Sequence, residues 1–496
     1  MRSVFQYFSR LAPSRIVAIG TIVLLLPAIL NGGPFVYFDS GAYMTSFGKA
    51  LAVLLSRAGA EGGHVVTGIS DTLSNTSMGE VIAKQNTVYA GRSIYYSILA
   101  FSGLVTTVWL PIVLQCLVLS WLVVMLYRHL LADAWAPGAL LALAVLAGAS
   151  SAALFANLIM PDIWAGLAVL ALALLWTPQV SLGRAERLTI LLVLGFSALV
   201  HNSHLALIAV MCMGYALLRA TGRVGAGSRQ GIAIPATAVA VAVCGNLAFG
   251  FAVETAYGSP PLQRPHVTAH LVELGPGTAH ARSACPAAGY ALCEFEPKLP
   301  VGWIPFLFSR AEADSVFATA SPATQRALAS EQLRFARDTI VAYPFATLGG
   351  LAFDGVRQLW TLSVDDVPQT RATEGFLEAG FPAEVSDLVR RTLIYNHPEL
   401  VEGLTRAIEI VTLLSAAYLA WAVWRGRGTP LTGDMRTVAA TLLAGLVLNA
   451  MICGVLASPY GRFQARIVWL LPLLAVLVAM AQTRWSSFKD FNSSEA

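Results

Sequence analysis

The chain has 496 residues, 56% of them hydrophobic and only 12% charged, with a mean hydropathy of +0.66. A soluble globular chain carries about 25% charged residues, so this composition excludes an ordinary water-soluble fold and describes a chain with much of its surface in lipid. The net charge of +4 is too small to indicate nucleic acid, and the basic residues sit in short inter-helix loops, where membrane topology accounts for them.

In chain order, Arg2, Arg10 and Arg15 precede an apolar run from Ile16 to Leu30. The following Asn31-Gly32-Gly33-Pro34-Phe35 lacks a small-x-small cleavage site, so the run reads as a retained first helix. A bilayer crossing needs about 20 mostly apolar residues. By that measure ten spans are expected, at 14–31, 107–127, 137–156, 162–177, 187–201, 203–219, 231–253, 405–424, 437–457 and 466–483. The apolar stretch 92–106 is broken by Arg92, Ser93, Ser97 and Ser102 and reads as a helix at the interface or packed within the protein.

Alternate loops then differ in charge. One set holds Arg2, Arg10, Arg15, Arg128, Arg184, Arg187, Arg219, Arg223, Arg229, Arg425, Arg427, Arg436, Arg484 and Lys489; the short loops of the other hold only Arg462 and Arg466. Basic short loops favour the cytoplasm, so both termini are expected inside, in a multi-pass protein of a bacterial-type inner (plasma) membrane. The expected fold is thus an all-α polytopic membrane protein: a transmembrane core over 1–253 with a first outer loop at 32–106, a mostly helical outer-face (periplasmic) domain at 254–404 between spans 7 and 8, and C-terminal transmembrane helices with a cytoplasmic tail over 405–496. Within the outer domain, 320–360 reads as amphipathic helix, with Leu328, Leu333, Phe335, Ile340 and Val341 near helical spacing.

Cys116, Cys212, Cys244 and Cys453 lie in apolar runs and read as small packing residues. Cys285 and Cys293 stand as C-x7-C in the long hydrophilic stretch. With no zinc spacing nearby, a disulfide in an oxidising compartment is the reading.

The polar residues able to carry chemistry fall on the outer side. Asp39, in Val36-Tyr37-Phe38-Asp39-Ser40, is a candidate general base toward a lipid-borne substrate, or the cap of a following helix. Arg92, in Gly91-Arg92-Ser93-Ile94-Tyr95-Tyr96, suits a phosphate or a snorkelling anchor. Asp162 follows Pro161 and reads as a site residue or a helix start. His201 and His204 flank Asn202-Ser203 and could share a metal or bind phosphate, or form a polar turn. Tyr460, Arg462 and Arg466 lie in the last outer loop, where two arginines four apart share a helix face and suit phosphate or diphosphate. No Gly-x4-Gly-Lys, no Gly-x-Gly-x-x-Gly and no acid-rich nucleotide-sugar motif lies in the inner loops, which disfavours a cytoplasmic nucleotide-using enzyme.

The Asp motif after the first span and Gly91-Arg92-Ser93, together with Trp109-Leu110-Pro111 and Met160-Pro161-Asp162, resemble the GT-C class of polytopic membrane glycosyltransferases over about the first 200 residues. Ser93 stands where that pattern expects Pro, and Asp39 lacks a second neighbouring acid. The resemblance implies sugar transfer from a polyprenyl-phosphate-linked donor to a glycan or lipid-linked acceptor on the periplasmic face, with Asp39 as base. It leaves a divalent metal cofactor open. Two other readings compete. An O-antigen ligase- or polymerase-like enzyme would centre on Arg264, His266, His270 and Arg282. A non-enzymatic lipid-glycan transporter would place charges near mid-membrane, where this chain has almost none.

Overall fold

The computed structural model describes residues 11–57, 88–131, 135–178, 180–223, 230–425 and 433–494. Of the loop cations, Arg2, Arg10, Arg229 and Arg427 lie outside the described residues, as do residues 58–87 of the first expected outer loop and the side chains of Arg484 and Lys489.

Helix α1 (Pro13–Asn31) starts on a proline, whose missing N–H is no loss in a first turn, and ends at Gly32, whose φ of 83° closes it in the left-handed region. Helices α2 (Ser40–Arg57) and α3 (Ile94–Val105) pair through Ser97, whose hydroxyl donates to the Tyr43 carbonyl at 2.6 Å and accepts the Phe47 N–H at 2.8 Å. At 12 residues α3 is too short to cross a bilayer. It buries Tyr96, Ser97, Ala100 and Phe101 and is packed within the protein.

The chain continues through α4 (Leu110–Leu130), α5 (Trp135–Ala149), α6 (Ile163–Trp176), α7 (Arg184–Val200), α8 (Asn202–Ala220) and α9 (Gln230–Tyr257). After a mixed region come α14 (Glu399–Arg425), α15 (Gly433–Leu456), α16 (Gly461–Val468) and α17 (Leu470–Ser494); within that region lie α10 (His266–Leu274), α11 (Pro276–Ala284), α12 (Pro322–Ala342) and α13 (Pro344–Gln358). The protein is all-α. Among the described residues there are seven helices long and apolar enough to cross a membrane, or eight if the bent pair α12–α13 is one span. All ten expected spans fall on helices. Three of them, however, lie on α5, α6 and α7, with 15, 14 and 17 residues, fewer than the ~20 of a full crossing. Helix α6 is apolar on every side and buried on nearly every side, as a helix at the centre of a bundle should be. Helix α9 is the opposite: Leu247 and Phe251 stand 68% and 73% exposed, a surface suited to lipid.

The stretch 254–404 feeds two cores. Residues 262–335 close around Leu271, Leu292, Phe306, Phe317 and Phe335, and Cys285 is bonded to Cys293 on their surface. Helix α13 turns back from α12 through 115° and lies against α15, with Gly355 beside the Met451 side chain and Gly454 beside the Asp354 backbone. Leu362, Val364, Leu377 and Val389 then enter the main core with the bundle. Among the described residues the only extended pairing is two isolated parallel bridges, Phe35 with Leu158 and Tyr89 with Leu262.

Candidate functional site

Those two bridges assemble the site. Phe35 N–H donates to the Asn157 carbonyl at 2.9 Å and Ile159 N–H to the Phe35 carbonyl at 3.0 Å, laying the segment that carries Asp39 beside the one that carries Asp162. Ala90 N–H donates to the Leu262 carbonyl at 2.9 Å and Leu262 N–H to the Val88 carbonyl at 2.7 Å, setting Arg92 and Arg264 side by side. Such irregular backbone must be satisfied when buried, and side chains do the rest. Asn157 Nδ2 donates to the Leu24 and Ala153 carbonyls, both at 2.8 Å, and Gln115 Nε2 to the Ala156 and Leu158 carbonyls at 3.1 and 3.0 Å.

Asp39 precedes α2, but its carboxylate does not cap the helix. Oδ1 accepts from Arg92 Nε at 3.0 Å and from Nη2 at 2.5 Å. Burial pushes this carboxyl up, and Arg92, Arg462 and Arg264 together bring it below its ordinary value. Arg264 lies over the rings of Tyr89 and Phe308, 4.9 and 5.0 Å from their centroids; burial and then Arg92 bring its guanidinium down to about 10. Burial, then Arg264, brings His266 down to about 4, so this imidazole is neutral.

Asp162 precedes α6 and likewise makes no side-chain cap bond. Its Oδ1 lies 3.7 Å from Arg462 Nε and 3.8 Å from Arg466 Nη1. All three residues are buried, Arg466 at 1% exposure. Arg466 Nη2 also donates to Ser203 Oγ and Asn449 Oδ1, each at 3.0 Å, and the Arg462 guanidinium lies 4.2 Å over the Tyr37 ring. Still, Arg462 Nε and Nη1 and Arg466 Nε have no hydrogen-bond partner. His201 caps α8, its Nδ1 accepting the Ser203 N–H at 3.2 Å, and stacks on His204 at 4.9 Å. Both His204 ring nitrogens are buried without a partner.

The structure therefore gathers Asp39, Arg92, Asp162, His201, His204, Arg462 and Arg466 at one end of the bundle. Tyr460 differs, acting through its backbone: its N–H donates to Gln358 Oε1 at 2.8 Å and its carbonyl accepts from Gln358 Nε2 at 2.9 Å, pinning the last loop to α13. Of the residues singled out for a ligase-like site, Arg264 and His266 face this cluster. His270 is spent on structure, with Nε2 3.0 Å from Asp354 Oδ2 and Nδ1 3.2 Å from the Val455 carbonyl. Arg282 lies half exposed beside Glu296.

Among the described residues no three His, Cys, Asp or Glu side chains gather where they could hold a metal ion. Asp39 and Asp162 are each ringed by guanidinium groups, a setting that does not fit a divalent cation. Beside the charged cluster runs an open apolar groove of about 450 Å³, lined by Tyr95, Ile98, Leu110, Leu114, Phe196 and Leu199. Its rim is tied to the charges, because the hydroxyl of Ser93, next to Arg92, donates to the Leu199 carbonyl at 2.8 Å.

No protein-family model, no curated protein and no solved structure matches this chain. Sequence reasoning missed Tyr37, Asp366 and Gln369. Asp366 and its neighbour Asp365 are a pair of acids between Val364 and Val367, in a polar stretch that also holds Ser363, Pro368, Gln369 and Thr370, so nothing in the sequence sets them apart from an ordinary loop.

Proposed function

We propose that the chain transfers a sugar from a polyprenyl-phosphate-linked donor to a glycan or lipid-linked acceptor, at the periplasmic face of a bacterial-type inner membrane. The observation that carries this is the buried pair Arg462 and Arg466 sharing the single carboxylate Asp162, with three guanidinium nitrogens left unbonded. Burying a cation without its partner is costly, and a phosphate that arrives with the substrate completes the set through charge-assisted bonds. The groove past Tyr95 and Leu199 is of a kind to receive the donor's prenyl chain while its phosphate meets the arginines.

In the reaction, the acceptor hydroxyl oxygen forms a bond to the anomeric carbon as the bond from that carbon to the phosphate oxygen breaks. The bonding electrons leave with the phosphate, whose growing charge the guanidinium groups stabilise. The hydroxyl proton passes to Asp39, kept ionised by Arg92, Arg462 and Arg264. Because both Arg92 bonds fall on Oδ1, Oδ2 is the oxygen left to take the proton. Arg92 is thus a positioning residue for the base rather than a phosphate ligand.

The test uses membranes carrying the full chain, supplied with polyprenyl-phosphate sugars bearing a radiolabel and with lipid-linked glycan acceptors. Transfer is expected with the wild type and lost, at equal protein level, with Asp39→Asn. Wild-type transfer by that variant overturns the reading. The ligase-like alternative keeps one supporting observation, Arg264 beside Arg92 and Asp39, and it requires transfer to survive Asp39→Asn and fail in Arg264→Ala.

A further inference from the structure

We propose that α13 lies flat in the membrane, in the leaflet at the end of the bundle that carries the charged cluster, with its outward face against lipid acyl chains. The assignment concerns where this helix sits and does not depend on sugar transfer.

Helix α13 is apolar on both sides. Toward the protein it turns Thr347, Leu351, Asp354 and Gln358, three and four positions apart. Away from the protein it turns Phe345, Leu348, Phe353, Val356 and, just past its end, Trp360. All five are exposed, Phe345 at 92% and Trp360 at 62%. The helix holds two charged side chains, Asp354 and Arg357, and Asp354 is turned inward to His270. A helix between protein and water shows polar residues on its outer side, whereas one that is apolar all round belongs in protein or in lipid.

The neighbouring helix decides for lipid. On α15, Ala440, Leu443 and Val447 form an exposed stripe, the surface that this membrane-crossing helix shows to acyl chains. The next position on the stripe, Met451, is covered by Gly355 of α13. Gly454 then approaches the Asp354 carbonyl so closely that a side chain at Gly454 would overlap it. Helix α13 therefore crosses α15 where the lipid-facing stripe ends. Arg436, exposed in the first turn of α15, marks one membrane boundary. From there to Gly454 the helix rises about 27 Å, against a hydrocarbon core of about 30 Å. The crossing point is thus at the opposite edge of the hydrocarbon, not in open water.

Nor is α13 the second half of a bent span. Helix α12 carries Arg334, Arg337 and Asp338 and gives Leu328 and Phe335 to the core formed by residues 262–335, so it stands outside the hydrocarbon. The 115° bend after α12 turns the chain to run along the membrane surface. At 15 residues α13 is too short to cross. Tyr343 and Trp360 stand at its two ends, as aromatic residues at headgroup depth do, and the exposed Arg357 has a stem long enough to reach water. Gln358 holds the Tyr460 backbone, and α16 with Arg462 begins at the next residue, Gly461. A helix seated in the leaflet thereby keeps the arginine loop at headgroup depth, where a lipid's phosphate lies without leaving the membrane.

The experiment is photocrosslinking of the full chain in vesicles of phosphatidylethanolamine and phosphatidylglycerol with tritiated acyl chains. The photoreactive p-benzoylphenylalanine replaces Phe345, Leu348 or Phe353 in turn. The same group at Phe251, exposed on α9, reports lipid, and at Glu312, exposed among residues 309–320, reports water. Lipid adducts at the three α13 positions are expected to match those at Phe251 and to exceed those at Glu312 by about tenfold or more, since an acyl chain leaves the leaflet for water only at a high cost. Yields as low as at Glu312 assign the face to water, and crosslinks joining two chains assign it to a second copy; either result overturns the proposal. A variant that does not elute as monodisperse as the wild type is set aside and the others decide. The unsubstituted chain gives an independent answer in vesicles containing a lipid with a diazirine in its acyl tail. Peptide mapping should find the label within residues 344–356, and its absence there, beside a labelled α9, overturns the proposal as well.

Discussion

Arg92 places two of its nitrogens on a single oxygen of Asp39, at 3.0 and 2.5 Å. The proposed base and the residue that orients it thus come from opposite ends of the segment between α1 and α3. Asp39→Asn keeps the shape and removes the charge, and sugar transfer should fall about 10²–10⁴-fold. Arg92→Lys keeps the charge but loses the two-nitrogen grip, and should lower kcat more than it raises the donor KM. Both are read from radiolabel transfer in membranes with matched protein levels.

The same pair sets a pH dependence. Asp39 is held below its ordinary value of 3.8, so transfer should show no loss from this group as pH falls through the mildly acidic range. Removing a guanidinium from beside a carboxylate raises that carboxylate's pKa. In Arg92→Ala the acidic limb of the rate profile should therefore move to higher pH. An unmoved limb would detach Asp39 from the rate.

Asp162 holds two buried arginines. Asp162→Asn leaves Arg462 and Arg466 without a carboxylate, and breaking a buried ion pair from one side costs about 3–5 kcal/mol. The variant should melt well below the wild type in detergent. Added polyprenyl phosphate should raise the melting temperature of the wild type, because a ligand that binds only the folded state stabilises it.

Under the proposed orientation, residues 254–404 face the periplasm. An alkaline phosphatase reporter fused after Pro300 should be active, and a cytoplasmic reporter at the same point silent. The reverse pattern would turn the site toward the cytoplasm and remove the lipid-linked donor.

Cys285 and Cys293 close a short loop, eight positions apart. The chain-entropy account gives about 2–3 kcal/mol for such a link. Non-reducing peptide mapping should recover the two cysteines joined, and Cys285→Ser should lower the melting temperature of the whole chain.

Hydropathy located the membrane helices because lipid contact imposes long apolar runs; the run in α9 is plain in the sequence and exposed in the structure. It also marked α6, which is equally apolar but enclosed by protein. Hydropathy does not separate a helix in lipid from one buried among helices. Helix α2 escaped notice because Thr45, Ser46 and Lys49 interrupt its apolar residues. Asp39, Arg92, Asp162 and Arg466 were legible as polar residues beside apolar runs. That Asp39 would meet Arg92 was not, since the pairing depends on α2 and α3 folding back on each other. Gln369 was hidden for a similar reason: its N–H meets the Val36 carbonyl, more than 300 positions earlier in the chain. Tyr460 looked like a binding residue, yet its backbone carries the contact and its ring rests on Phe463.

The order in which the ribosome delivers these residues gives the ion triad a second meaning. Asp162 leaves the ribosome 300 positions before Arg462, an interval of about 15–60 s at ordinary elongation rates. For that time a carboxylate waits at the start of α6 with neither guanidinium made. A chain truncated before α16 never neutralises it. Nascent and broken molecules thus carry an unpaired acid that finished ones have buried beside two arginines.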